Sequence, residues 1–324
     1  MTVQDTMRRV ARGSRRAMST LAAVLVFPAA VACSQGGDAR TVAANPAASE
    51  FNADSAMSYV RQQLAFGPRV PGSPGWQKTG DWIVTKLKAS GATVTEQKWT
   101  HTLESKQTIP MRNIFAQFKP EAAERILYLA HWDTRPRADS DPEPANHDKP
   151  IPGANDGASG VALLLAVADA LKKAPPAAGV DLLFVDGEDY GTFSPDTDVL
   201  IGATYFAEHL PSANYRPLFG VLWDMIGDAD LNIEQEMYSA QQAPEVVQRV
   251  WQKAKELGYE RYFLPNVRSY TITDDHYPLI KAGLRVIDVI DYPWDWHHTI
   301  GDTADKVSAQ SLKIVGDVAM ALLR

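Results

Sequence analysis

The chain holds one cysteine, Cys33, among its 324 residues, so no internal disulfide can brace it. Basic charge is also scarce: 32 Lys and Arg face 39 Asp and Glu, for a formal net charge of −7. That balance lacks the basic footprint of non-specific nucleic-acid binding, and no nucleic-acid partner is expected. Long apolar runs are missing. Leu21 to Ala32 is interrupted by Pro28 and falls short of the roughly 20 apolar residues a spanning helix requires. There is no phosphate-binding G-x-x-x-x-G-K-[ST], no dinucleotide-binding G-x-G-x-x-G, and no G-x-S-x-G elbow around Ser159. What remains is the composition of an ordinary globular domain, 45% hydrophobic and 22% charged.

Arg8, Arg9, Arg12, Arg15 and Arg16 precede the short apolar stretch, which is the pattern of a signal peptide over residues 1–32. Ala30-Val31-Ala32-Cys33 resembles a bacterial lipobox, with Ala30 where Leu is usual. The expectation is therefore an exported, periplasmic protein whose membrane attachment is a lipid on Cys33. Residues 33–50, rich in Ser, Gly, Asn and Ala, read as a tether. Residues 51–324 read as one catalytic domain, expected to be a monomer.

Within that domain, Asp54 to Phe66 and Gly75 to Ala89 carry helical spacing. Thr93 to Thr102 and Met111 to Phe118 alternate as an edge hairpin. Strands at Ile126 to Ala130, Asp181 to Val185, Leu218 to Trp223 and Val286 to Ile290 then alternate with helices at Gly160 to Lys173, Gly202 to Leu210, Pro244 to Leu257 and Ser308 to Leu323. Such alternation predicts an α/β three-layer sandwich, its mixed, mostly parallel central sheet covered by helices on both faces. Two long connections, Thr134 to Asn155 and Tyr190 to Ile201, lie beside strand ends and are candidate rims of a site.

The chemistry-bearing residues gather at those strand ends. Asp156, Glu188, Asp189, Asp224 and His298 fall at or just beyond apolar runs. Open α/β sheets place their ligands in the crevice beyond the carboxyl ends of the strands. Carboxylates with one imidazole form a ligand set suited to zinc with an open coordination position. Asp156 sits in the glycine-flanked turn Gly153-Ala154-Asn155-Asp156-Gly157-Ala158-Ser159-Gly160. Glu188 and Asp189 are adjacent, a repulsive pair that a cation would relieve. Asp224 closes Val221-Leu222-Trp223, and Thr273-Asp274-Asp275-His276 opens a short helix whose N-terminus suits the two acids. His101, His147 and His209 lie outside these groupings and read as surface residues.

Together, His131-x-Asp133, the Asp156 turn, Asp186-Gly187-Glu188-Asp189, Asp224-x-x-Gly227, Asp275-His276 and His298-Thr299-x-x-Asp302 resemble the aminopeptidase-type zinc exopeptidases, over roughly residues 54–324. Within that superfamily the chain resembles the glutaminyl-peptide cyclotransferases of the animal type, particularly their bacterial members. The resemblance implies one zinc on Asp156, Asp189 and His298, with Glu188 as general acid/base. In the aminopeptidases, positions matching His131 and Asp224 hold a second zinc, bridged by the position of Asp156. Asp274 separates the two activities, because the peptidases look like Ser-Asp-His here and the cyclases like Asp-Asp-His. In the cyclase pattern Asp274 shares a hydrogen-bond network with Asp224 and Glu188. The implied activity is conversion of N-terminal glutamine of peptides to pyroglutamate with loss of ammonia, the alternative being a zinc aminopeptidase. Phe193, Trp223, Trp294 and Trp296 are candidates for the apolar wall of the substrate pocket. His297 stands where the cyclases usually carry Trp, which makes it a further pocket candidate.

Overall fold

The computed structural model describes residues 50–324. The signal peptide, Cys33 and the tether as far as residue 49 lie outside the described residues. The first helices begin where side chains can satisfy free amides. The Asn52 side-chain Oδ1 accepts from Ser55 N ahead of α1 (Ala53–Phe66), and the Ser73 hydroxyl from Trp76 N ahead of α2 (Pro74–Ala89). Pro74 fits the first turn of α2 because no intrahelical bond is lost there.

Six strands form the main sheet: β1 (Thr93–Thr102), β2 (Thr108–Phe118), β3 (Arg125–His131), β4 (Gly179–Val185), β5 (Phe219–Asp224) and β6 (Val286–Ile290). Their order is β1-β2-β4-β3-β5-β6. β1 pairs antiparallel with β2, and β2 with β4; the remaining pairs are parallel. The expected mixed, mostly parallel sheet is thus observed, with the hairpin at its edge. β2 starts at Thr108, three residues before the apolar run, because its ladder with β1 continues to the Thr102 and Thr108 pair.

Both faces of the sheet are covered. On β3, Ile126, Tyr128 and Ala130 join a core shared with α1, α3 (Ala158–Lys173) and α8 (Ala309–Leu322). Leu127 and Leu129 point the other way, toward α4 (Ile201–Glu208) and α7 (His276–Lys281). This is the period-2 geometry of a strand buried on both faces. α5 (Met237–Gln242) and α6 (Pro244–Glu256) follow β5. A short parallel ribbon, Ile233–Gln235 with Phe263–Val267, accompanies them and is too short to leave a periodic signal in the sequence.

The site follows from strand register. His131 pairs with Val185, and Leu129 with Leu222. Continuing that register brings the carboxyl ends of β3, β4 and β5 side by side, at His131, at the turn before Glu188, and at Asp224.

Candidate active site

Asp156 lies in a turn gripped from two sides. The guanidinium of Arg69 is fully buried and donates to the carbonyls of Trp132 (3.0 Å), Pro152 (2.8 Å) and Gly153 (2.6 Å). From the other side, Asp302 accepts from the amides of Asn155 (2.8 Å) and Asp156 (3.2 Å). Gly153 takes φ +67, a left-handed conformation that favours glycine. At Gly157 a Cβ would lie 2.4 Å from His131 Nε2, so the small residue there makes room for the imidazole.

The acidic doublet is held in the same manner. Asp133 accepts from the amides of Glu188 (3.1 Å) and Asp189 (3.3 Å). Asp189 Oδ1 then receives Arg135 Nη1 at 2.9 Å and stands 3.1 Å from His298 Nε2, whereas its Oδ2 is buried without a donor. Glu188 turns instead into the cavity. Burial, with the neighbouring Asp189 charge adding to it, holds the Glu188 carboxyl well above its usual range.

His131 Nε2 stands 3.0 Å from Asp156 Oδ1 and 3.1 Å from Asp224 Oδ1. Burial works against the imidazolium, but Asp224 and the hydrogen-bonding Asp133 and Asp156 carboxylates outweigh it and raise His131 well above its ordinary value. Asp274 is buried, its Oδ2 lacks a donor, and burial together with Asp224 pushes it strongly upward. The acids opening α7 do not cap it: Asp275 makes no side-chain cap bond, and both of its oxygens are buried without donors. His298 adopts φ +56, which costs a non-glycine residue about 1–2 kcal/mol. Its carbonyl is anchored by Ser140 N at 3.2 Å.

Asp156, Glu188, Asp224, Asp274 and His298 all line one cavity of about 510 Å³, within the range of small-ligand pockets. Phe193 and His297 line it too. His297 stacks on His298 at 3.6 Å, and burial together with the His298 charge lowers it to about 4. With Asp156 and His298 it also forms a group able to hold a metal ion. The expected tryptophan wall is absent from this cavity. Trp223 is fully buried in the core beneath the sheet, edge-on to Tyr128 at 5.4 Å, because it alternates with Asp224 along β5. Trp294 packs behind the wall against Met225 and Ile290, and Trp296 is 41% exposed with Lys306 Nζ over its ring. The apolar lining comes instead from Met225, Ile272, Ile290 and Tyr292, with Tyr270 at the rim.

A family model described as "Peptidase family M28" matches residues 113–323. The chain belongs to that family. Among solved structures it is 38% identical to Porphyromonas gingivalis glutaminyl cyclase, covering 85% of this chain and 99% of that one at a TM-score of 0.83. It is also 38% identical to Bacteroides thetaiotaomicron glutaminyl cyclase bound to N-acetylhistamine, covering 84% and 97% at a TM-score of 0.81. Among curated proteins, the glutaminyl-peptide cyclotransferase of Boiga dendrophila is 25% identical over 289 residues, 77% of this chain and 75% of that protein. The M28 assignment makes the chain a zinc-dependent type of enzyme and accounts for the clustering of its acids at the strand ends.

Arg69, Arg135 and Asp139 belong to none of the motifs visible in the sequence, although two of them lie in the long connection after β3, a candidate rim. The available signal was position: Arg135 follows the His131-x-Asp133 pair by two residues.

Proposed function

We propose that this enzyme is a glutaminyl-peptide cyclotransferase that converts N-terminal glutamine of peptides to pyroglutamate and releases ammonia. The observation that carries the reading is Asp274, a buried carboxyl placed on the cavity wall with Asp224 and Glu188, at the position where the related peptidases resemble Ser.

We assign one zinc ion to Asp156, Asp189 and His298, whose imidazole Nε2 stands 3.8 Å from Asp156 Oδ2 and 3.1 Å from Asp189 Oδ1. Two carboxylates with an imidazole match zinc chemistry, and the buried, donor-less Oδ2 of Asp189 is an acceptor awaiting a partner. When bound there, zinc supplies Lewis-acid polarisation of the γ-amide carbonyl. The substrate's α-amine is the nucleophile, so no activated water is required. Glu188, facing the cavity, takes a proton from the α-amine as the new Cδ–Nα bond forms, then delivers it to the amide nitrogen as the original Cδ–Nε2 bond breaks and ammonia leaves. Such acid/base work contributes about 10²–10⁴-fold. Its raised pKa suits a group that must both accept and return a proton. The Asp274 charge adds to that of Asp189 in pushing Glu188 upward.

A second reading, zinc aminopeptidase, draws on one specific feature. His131, Asp156 and Asp224 form a buried group able to hold another metal ion. The two readings separate in a paired assay on the purified protein. A Gln-initiated peptide is expected to yield ammonia while a Leu-anilide yields no arylamine; arylamine without ammonia would overturn the cyclase assignment. Metal analysis is expected to give one zinc per chain, and two would favour the peptidase. The basic leader and Cys33 support action outside the cytoplasm from a lipid anchor, and a monomer is the proposed state.

A further inference from the structure

We propose that Arg135 is the positioning residue that aims Asp189 at the metal, an inference that rests on the zinc-site reading above. Arg135 leaves β3 on the first turn of the long connection and returns beneath the cavity rim, where it is 3% exposed. Its donors divide cleanly. Nε and Nη2 form a forked pair with Asp139, each at 2.7 Å. Nη1 reaches Asp189 twice, at the backbone carbonyl (3.1 Å) and at Oδ1 (2.9 Å). Holding both the main-chain and a side-chain oxygen of one residue fixes that side chain's direction. Oδ1 at the same time stands 3.1 Å from His298 Nε2, and Oδ2 is left buried without a donor.

Charge alone would argue against an arginine here, because a guanidinium repels a divalent cation. The fork to Asp139 answers this. The Arg135 and Asp139 pair is formally neutral, and Asp139 Oδ1 also stands 4.0 Å from His298 Nδ1, on the side of the ring away from Asp189. Phe193 covers the assembly, its ring 6.0 Å from the guanidinium and 6.3 Å from the His298 ring. Arg135 therefore links the strand end, the rim and two proposed ligands. A lysine could not reproduce it, having one compact donor group rather than a rigid fork.

Orientation and repulsion predict opposite signs, which makes the test decisive. Metal-free protein, prepared by chelator dialysis, is titrated with zinc in competition with a chromophoric chelator. If orientation governs, Arg135→Met weakens zinc binding by about 10–100-fold, the usual cost of losing a partner that orients a metal ligand. Arg135→Lys is expected to fall between Met and the parent. Zinc affinity in Arg135→Met equal to or tighter than the parent overturns the proposal. Melting of the metal-free variants reports folding separately. Should Arg135→Met show no cooperative melt, Arg135→Lys decides alone: weaker binding supports the role and unchanged binding overturns it. A parent that binds no zinc overturns it as well. A parent that binds zinc normally yet releases no ammonia from a Gln-initiated peptide sinks the cyclase reading and leaves this one standing.

Discussion

Asp302→Asn tests whether the turn bearing Asp156 is held by hydrogen bonds or merely packed in place. The carboxylate is fully buried and accepts two amides, Asn155 N on Oδ1 and Asp156 N on Oδ2. An asparagine keeps one acceptor and turns an NH2 group toward the second amide. The loss is one hydrogen bond to a charged acceptor, about 1.5–3 kcal/mol, with a buried N–H left facing a donor. A rival effect has the opposite sign. Burial and the nearby Asp156 charge push Asp302 up to about 8, so removing its charge relieves a repulsion. That relief is limited, because Arg69 loses a favourable partner in the same step. The net expectation is destabilisation of about 2 kcal/mol, or a fall in Tm of roughly 3–4 °C for a domain of this size. Thermal melts of metal-free protein at pH 8 read it directly. A Tm that holds or rises would show that carboxylate repulsion dominates and that the two-amide clamp has been overvalued.

Other consequences follow from the same geometry. Glu188→Gln is expected to lower ammonia release by about 10²–10⁴-fold while zinc content stays at the parental value; retained turnover would assign the proton transfer elsewhere. Trp223→Ala is expected to cost about 3–5 kcal/mol in urea unfolding as a core truncation, whereas Trp223→Phe leaves KM for a Gln-initiated peptide unchanged. A KM that climbs at an unaltered urea midpoint would return Trp223 to the pocket. Asp291 offers a pH test at a group that is not itself a proposed ligand. Burial, with Asp228 adding and the Asn232 amide opposing, pushes it up to about 7, against about 3.9 when unfolded. Between those values the folded chain keeps a proton that the unfolded chain has released, so stability falls as pH rises through the window. Asp291→Asn removes that loss, and its advantage over the parent is expected to grow by about 1.4 kcal/mol per pH unit from pH 5 to pH 7. A gap that stays constant between those two pH values refutes the assignment.

The sequence carried the architecture because strand ends and acids coincide in it. The run ending at Asp224 and the doublet after Val185 belong in one crevice on the sequence pattern alone. Asp133 and Asp302 were visible as members of motifs but not as clamps, since each acts on amides about 55 and 147 residues away. Arg69 and Arg135 are legible only once the chain has folded back on itself. The tryptophans were misplaced for a different physical reason. A strand buried on both faces has no polar side to mark its orientation, so apolar content could not tell whether Trp223 faced crevice or core. The pocket wall falls instead to residues such as Ile272 and Tyr292, which stand in irregular segments with no periodicity to announce them.

The clamp on the Asp156 turn also bears on how the enzyme matures. It joins residues 69, 156 and 302, segments far apart along the chain. In small zinc modules the ion is the folding free energy, and the chain collapses around it. Here large apolar clusters pack both faces of the sheet, so an ion is one contribution among many. A growing chain can lay down β3, β4 and β5 while still lacking His298 and the carboxylate that steadies Asp156. The Asp156 turn and the proposed ligand set are complete only once the C-terminal segment has closed on the sheet.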